Sequence, residues 1–159
     1  MGMTGRKAHV ARLKRISGPT MEREVGKALF AAGEMIQVEA QLSITSGSVS
    51  GKSHVPSQPG EPPNQDTGVL ANNIETTQKE PLLVEVSSNA PYSAALELGS
   101  SRKAGKTARP GRKMFGPVLV EFGDSETAAR PFMQPARDKM RPEVEKLIIR
   151  AVKRVVGRR

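Results

Sequence analysis

The segment closest to a catalytic motif is Gly47–Ser53, with the sequence GSVSGKS. A phosphate-binding P-loop has four residues between its first glycine and the Gly-Lys-Ser/Thr triplet, whereas this segment has three. A P-loop also follows a strand and opens a helix, so that backbone N–H groups and the helix terminus meet the phosphates. Here a helical pattern comes before the segment and a proline-rich stretch comes after it. We therefore expect no nucleotide site.

The remaining candidates for chemistry are two histidines and one pair of carboxylates. The chain has no cysteine, and neither His9 nor His54 has a second histidine or a carboxylate at helical spacing to form a metal site. A Ser/His/Asp triad would need one of these two histidines, and no nucleophile elbow is present. Glu143 and Glu145 are two residues apart, which on a helix turns them in different directions. We expect no enzyme, no cofactor and no metal.

Positive charge is concentrated in three parts of the chain. The formal net charge is +9, yet residues 1–18, 100–114 and 141–159 together carry +16, so the remaining residues are net negative. Basic clusters attract nucleic acid or acidic protein surfaces, although solvated tails and an exposed loop would have the same composition. The basic loop has only Phe115 at its edge for base stacking, so any nucleic-acid contact would be with phosphates.

The elements that position these groups begin with a long helix over about Pro19–Ile44. Its apolar residues recur at steps of three and four, and Pro19 suits a first-turn position. Gly26 and Gly33 either weaken this helix or allow close packing against a neighbouring element. A second helix is predicted over about Pro135–Val156, with a kink or restart at Pro142.

Shorter elements lie between the two helices. The pattern predicts a hairpin of two strands, a short helical turn and a third strand, at about Val69–Thr77, Leu82–Ser87, Pro91–Leu98 and Val118–Phe122. Residues 45–68 and 99–116 are rich in Ser, Gly, Pro or basic residues and are predicted to be loops. The fold class is therefore α+β, with a small antiparallel β-sheet packed against the N-terminal and C-terminal helices.

The predicted domain organisation is a flexible basic arm over residues 1–18, followed by a single domain over residues 19–159. Apolar residues make up 36% of the chain and aromatic residues 3%, which is low for a compact domain. Either part of the chain is disordered in isolation, or neighbouring subunits complete the core. No apolar run approaches the roughly 20 residues that span a membrane, and the N-terminus lacks the apolar region of a secretory signal.

Three local patterns occur in a specific order. They are PGEPPNQDTGVL, NAPYSAALELGS and ARPFMQPA, at residues 59–70, 89–100 and 129–136. In this order they resemble the small tail-completion, or neck, proteins of long-tailed bacteriophages, over about Pro19–Val156. The chain differs from that family at Leu98, where the family often has an aromatic residue, and in the unusually basic stretch from Ser101 to Lys113.

The resemblance implies a structural virion protein in the neck, assembled in the host cytoplasm. It implies a homo-oligomeric ring, which we expect to be sixfold, that completes the tail and joins it to the DNA-filled head. The implied neighbours are head-closure or adaptor proteins and tail-tube or tail-terminator proteins, with possible non-specific contact to packaged DNA and none to a membrane. The alternative is a free-standing basic protein that binds nucleic acid through sequence-independent phosphate contacts.

Two sets of residues are candidates for these contacts. The matching motif positions are candidates for subunit or partner interfaces: Tyr92, Glu97, Gly99, Arg130 and Phe132. For Arg130, we consider pairing with Glu97, pairing with an acid of a neighbouring subunit, and a solvated side chain. The basic stretch supplies the candidates for contact with DNA or a partner protein: Arg102, Lys103, Lys106, Arg109, Arg112 and Lys113.

Overall fold

The computed structural model describes residues 4–102, 105–109, 118–122 and 125–157. Its elements are, in chain order, α1 (Thr4–Ile16), α2 (Pro19–Thr45), a 3-10 turn (Gly51–Ser53), α3 (Val69–Asn72), β1 (Ile74–Glu80), β2 (Leu83–Ser88), α4 (Ser93–Leu98), β3 (Ser100–Arg102), β4 (Gly105–Arg109), β5 (Val118–Phe122), β6 (Ser125–Thr127) and α5 (Met133–Gly157). Helices at both ends of the chain and antiparallel strand pairs between them confirm the predicted α+β class.

Helix α2 is the central element of the fold. It starts where predicted, because Gly18 is extended and Pro19 fits the first turn, and it ends one residue beyond Ile44. The two glycines of α2 allow close packing against the β1–β2 hairpin. A Cβ atom at Gly26 would clash with the carbonyl oxygen of Pro81, and one at Gly33 would lie 2.6 Å from Cγ2 of Thr76.

The β1–β2 hairpin is shorter at its start than predicted. Its register pairs Ile74 with Ser88, and the predicted strand residues before Ile74 form α3 instead. The prediction was wrong there because Leu70 and Ala71 are adjacent and both buried, whereas adjacent residues of a strand with one packed face alternate between core and solvent. Gly68 opens the turn at φ +79°, and the Asn73 side chain closes it by donating to the carbonyl oxygen of Val69 at 2.7 Å.

Helix α5 packs antiparallel on α2. Near its start, Lys139 forms a 2.6 Å ion pair with Glu39 in the C-terminal half of α2. The helix continues through Pro142, where we predicted a kink or a restart, and ends at Gly157. Pro142 has no N–H group, so the continuous helix lacks one internal hydrogen bond at this point.

The core lies where α2, α3, β1 and the start of α5 meet. Its main cluster consists of Ala40, Ile44, Leu70, Ala71, Ile74, Ala90, Phe132 and Ala136, with Val86, Leu96 and Met133 packed against it. Phe132 is the largest fully buried side chain in the described part of the chain. Alanine contributes many of the buried positions, so elements approach closely but each buries little apolar area.

The segment that we predicted as a flexible arm contains helix α1, Thr4–Ile16. Its Ala, Leu, Lys and Arg residues have high helix propensity, which explains why a regular helix forms on a strongly polar segment. Ser17 ends the helix by donating from both its backbone N–H and its hydroxyl to the carbonyl oxygen of Leu13. Residues 5–14 are all exposed, and Ile16 is half-buried.

The region predicted as a long loop, residues 99–116, contains strands β3 and β4. Strand β3 pairs with β6, and β4 pairs with β5, the third strand predicted from the sequence. The β3–β6 and β4–β5 ladders share one register: the numbers of the two paired residues always add to 227, as in Ser100–Thr127 and Arg109–Val118. Strands β3, β4, β5 and β6 are together called the basic hairpin here. A Gly/Lys/Arg composition did not signal strands, because pairing with the apolar β5 determines them.

Candidate functional site

The candidate site is a junction where the carboxylate of Glu97 meets the first turn of α5. One carboxylate oxygen accepts hydrogen bonds from the backbone N–H groups of Phe132 and Met133, at 2.8 and 3.1 Å. The other oxygen accepts from the N–H of Gln134 at 2.9 Å. These N–H groups have no partners within the helix, and the negative charge complements the helix dipole. Glu97, 35 residues earlier, therefore caps α5.

All three sequence patterns meet at this junction. The N–H of Arg130 donates to the carbonyl oxygen of Leu96 at 2.6 Å, which joins the second and third patterns. The N–H of Gly60 donates to the carbonyl oxygen of Ala129 at 2.8 Å, which joins the first and third patterns. Three segments far apart in sequence are thus held together by backbone hydrogen bonds and one carboxylate.

Gly99 supplies the backbone geometry that brings these segments together. Its φ of +75° and ψ of 166° lie in a region that only glycine adopts readily. A Cβ atom there would lie 3.0 Å from the carbonyl oxygen of Thr127 and 3.1 Å from the nitrogen of Ala129. Gly99 therefore lets α4 turn directly into the basic hairpin while the returning strand passes against it.

Beside the junction lies an open cavity of about 370 Å³. The loop between α2 and α3 forms most of its wall, and Tyr92 and Arg130 complete it. Tyr92 is 42% exposed, so its ring is available to a neighbour. Within the described residues, neither Ser57 Oγ nor Arg130 Nε has a hydrogen-bond partner, although both atoms are buried.

The five interface candidates predicted from the sequence therefore lie close together. The ion pair considered between Arg130 and Glu97 is not among their contacts in the described part of the chain. The Glu97 carboxylate is engaged by backbone N–H groups, and no Arg130–Glu97 salt bridge occurs in this part of the structure. Phe132 is a core residue, and Gly99 has a conformational role. Of the five candidates, Tyr92 is the one whose side chain is largely exposed.

The basic candidates lie on the basic hairpin. Arg102 ends β3, and Lys106 and Arg109 belong to β4. Lys103, Arg112 and Lys113 lie outside the described residues.

The segments first considered for catalysis have structural contacts. Helix α2 precedes Gly47–Ser53, as the sequence indicated, and the N–H of Gly51 donates to the Asp66 carboxylate at 2.9 Å. An amide that a P-loop would direct at phosphate is thus already occupied. His54 Nδ1 lies 3.1 Å from the carbonyl oxygen of Val49, so this histidine has a local partner rather than full solvation.

The two acidic residues near the middle of α5 each have their own basic partner. Glu143 pairs with Lys146 at 2.7 Å, and Glu145 pairs with Arg141 at 3.1 Å. The hydrogen bond from Lys146, reinforced by its charge, lowers the pKa of Glu143. Over residues 4–157, apart from the gaps given above, no cluster of three metal-binding side chains occurs. No helix in this same part of the chain is long and apolar enough to cross a membrane.

Comparison with known protein families gives one match. The model of the HK97-gp10-like family, described as "Bacteriophage HK97-gp10, putative tail-component", matches residues 7–99, which is 93 of the 159 residues. The chain belongs to this family. The match confirms the resemblance to phage head–tail proteins that the sequence patterns indicated. No curated protein and no solved structure matches the chain.

The HK97-gp10-like match includes the first pattern and all but the last residue of the second, and it ends at Gly99, immediately before the basic hairpin. The third pattern lies beyond it, yet its backbone is bonded to both of the others. Sequence reasoning missed the residues that make these bonds, Gly60 and Leu96, and also Gln65, whose N–H donates to the carbonyl oxygen of Ile44 at 3.0 Å. Backbone groups leave no signal in residue type, although the Pro/Gly-rich composition around Gly60 marks a turn.

Proposed function

We propose that this chain is a subunit of a ring in the neck of a long-tailed phage or phage-like particle, where it completes the tail and joins it to the head. Membership of the HK97-gp10-like family of phage tail components carries this proposal. A structural role in the virion follows from the family description, whereas the ring and its position at the head–tail interface are inferences.

The distribution of apolar residues supports assembly with other subunits. Among the described residues, seven of the twelve buried hydrophobic positions are alanine. Large apolar side chains are exposed on several surfaces instead: Val10, Leu13, Val38, Leu42, Val49, Val55, Val69, Leu82, Leu83, Leu98 and Ile149. A chain that leaves this much apolar surface uncovered favours contacts between copies, as in a closed head-to-tail ring.

The junction around Glu97 suits a structural subunit more than an active site. Its carboxylate caps a helix, so it is committed to stability, and the family is one of structural tail components. We assign the exposed Tyr92 and the neighbouring Leu98, which is 78% exposed, to contacts with a neighbouring copy or neck protein. The cavity beside them would accept side chains of that neighbour.

The basic hairpin is the candidate for contact with packaged DNA or with an acidic neck protein. Lys106 and Arg109 both lie on β4 of this hairpin. A contact with DNA would be with phosphates and would weaken as salt is raised.

Deletion of the gene from its producing strain, followed by electron microscopy of the lysate, tests the function. Loss of the chain is expected to leave DNA-filled heads apart from tails, and a plasmid copy is expected to restore joined particles. Free tails of abnormal length would add a role in terminating the tail. Joined particles in normal numbers without the chain would contradict the neck role.

The free-standing nucleic-acid-binding alternative is tested by the same strain and the purified protein. It predicts normal particles after deletion, together with binding to duplex DNA whose affinity falls steeply with salt. The neck role instead requires the assembly defect, whatever the affinity of the isolated protein for DNA.

A further inference from the structure

Helix α2 carries an apolar stripe that is partly exposed in the described part of the chain. Ala31, Met35, Val38 and Leu42 recur at steps of four, three and four, which is the spacing of a helix–helix contact seam. Val38 is 51% exposed and Leu42 is 54% exposed. With Met140 of α5, the first three line a groove of about 360 Å³, here called the α2 groove.

Helix α1 has a matching exposed face. Val10 and Leu13 are 43% and 51% exposed, and with Arg6 they follow the same four-and-three spacing. Residues 5–14 are all exposed, although α1 also contacts α2 and α5 of its own chain. A basic, exposed helix of this kind is stabilised when its apolar face packs on a partner helix.

The exposed face of α1 and the stripe on α2 are similar in length and opposite in charge. Helix α1 has 13 residues, about 20 Å of helix, and the stripe from Ala31 to Leu42 is about 18 Å long. At 100° per residue, Glu34 and Glu39 flank the stripe on its two sides, and Glu39 also pairs with Lys139. No basic residue lines the α2 groove. Helix α1 contains no acidic residue, and Lys7 and Lys14 lie on one flank of its apolar face.

We propose that α1 of one copy packs into the α2 groove of the next copy, and that this contact builds the ring. The inference rests on the proposed ring and names its interface. The surfaces differ, so the contact is heterologous and repeats from copy to copy until the ring closes. The same chain cannot make this contact. Val38 lies about 28 Å along α2 from Pro19, while α1 folded back would bring Val10 only about 14 Å along it.

Cysteine cross-linking tests the contact, because the chain has no cysteine of its own. A variant with Val10→Cys and Val38→Cys would be expressed in the deletion strain, and the lysate would be oxidised and separated on a denaturing gel without reductant. We expect a ladder of covalent multimers that ends at the ring copy number and collapses to monomer on reduction. A disulfide needs Cα atoms within about 7 Å, so a ladder reports direct contact.

The matched control is Val10→Cys with Ile149→Cys. Ile149 is as exposed as Val38, at 51%, but lies on α5 outside the α2 groove. This pair is expected to remain at least tenfold less cross-linked. Equal ladders from both variants, or no ladder from the first, would overturn the inference. If particles still failed to join without the chain, the neck role would stand and another surface would form the ring.

Charge exchange gives a second readout that does not depend on cysteine. The Lys7→Glu/Lys14→Glu variant should lower the yield of joined particles at least tenfold with unchanged melting temperature, because these side chains are exposed. Adding Glu34→Lys to that variant should restore most of the yield. Failure of Glu34→Lys to restore any yield, together with absence of the Val10–Val38 ladder, would reject the contact. Normal particles in the deletion strain would instead reject the neck role.

Discussion

The carboxylate of Glu97 lies 2.8 Å from the backbone nitrogen of Phe132, so one acidic side chain fixes the start of the last helix and the position of the largest buried residue. The same carboxylate bonds the next two N–H groups of α5. Phe132 can fill the core only when α5 begins at this place. This contact gives a physical reason why the second and third sequence patterns, which contain Glu97 and Phe132, occur in the same chain.

Replacement of Glu97 should lower the stability of the protein and leave its other surface residues unchanged. Glu97→Ala leaves three helix N–H groups without their acceptor and should lower the free energy of unfolding by about 2 kcal/mol. Glu97→Gln should have a smaller effect, because one oxygen still accepts. Urea unfolding followed by circular dichroism measures both. Glu80→Gln, at an exposed strand end, is the control and should change stability by less than about 0.5 kcal/mol. Equal stability of Glu97→Ala and the parent would disprove the cap.

Two glycines at positive φ, Gly68 and Gly99, should respond differently to asparagine. Gly68 has φ +79° and ψ −3°, a left-handed conformation that asparagine tolerates, whereas the extended ψ of Gly99 excludes it. We expect Gly68→Asn to cost under about 1 kcal/mol and Gly99→Asn at least about 2 kcal/mol. Thermal unfolding of both variants checks the order, and the reverse order would contradict the assigned backbone geometry.

Gly33 tests whether α2 needs close approach to the β1–β2 hairpin. Alanine gains about 1 kcal/mol in helix propensity, but its Cβ would lie 2.6 Å from Thr76 Cγ2 and 2.9 Å from Val84 Cγ1. Both neighbours are β-branched and stiff, so Gly33→Ala should destabilise by about 1–3 kcal/mol. Combining it with Val84→Ala should recover part of this loss. Gly5→Ala is the control, because nothing lies within 4 Å of its Cβ, and it should be neutral or stabilising.

The basic hairpin should matter for assembly and little for stability. Lys106→Ala with Arg109→Ala should leave the melting temperature within about 2 °C, since the β4–β5 pairing uses backbone groups that both substitutions keep. The count of joined particles in complemented lysates should fall several-fold. Lys153→Ala with Arg154→Ala, on the exposed end of α5, removes the same charge and serves as the control. Equal losses from both variants would assign the effect to net charge rather than to the hairpin.

Long periodic segments were predictable from the sequence, and backbone junctions were not. Helix α2 was predicted to within one residue, because its apolar spacing persists over many turns and Pro19 marks its start. The start of the first strand was misplaced, since the apolar residues Leu70 and Ile74 fit a strand as well as a turn leading into one. At the site, Glu97 was identified as a candidate, but its role was not, because its partners are backbone groups of residues 132–134.

The shared register of the two ladders has a further consequence. The basic hairpin leaves the core at Gly99 and returns at Ala129, and backbone hydrogen bonds to Leu96 and Gly60 fix both of its roots. The length of the basic hairpin can therefore vary without changing the rest of the fold. Residue pairs could be added to or removed from the β4–β5 ladder without moving the helices. Each two residue pairs would lengthen or shorten the basic hairpin by about 7 Å. The hairpin can thus differ in length from one phage lineage to another while the rest of the fold stays the same.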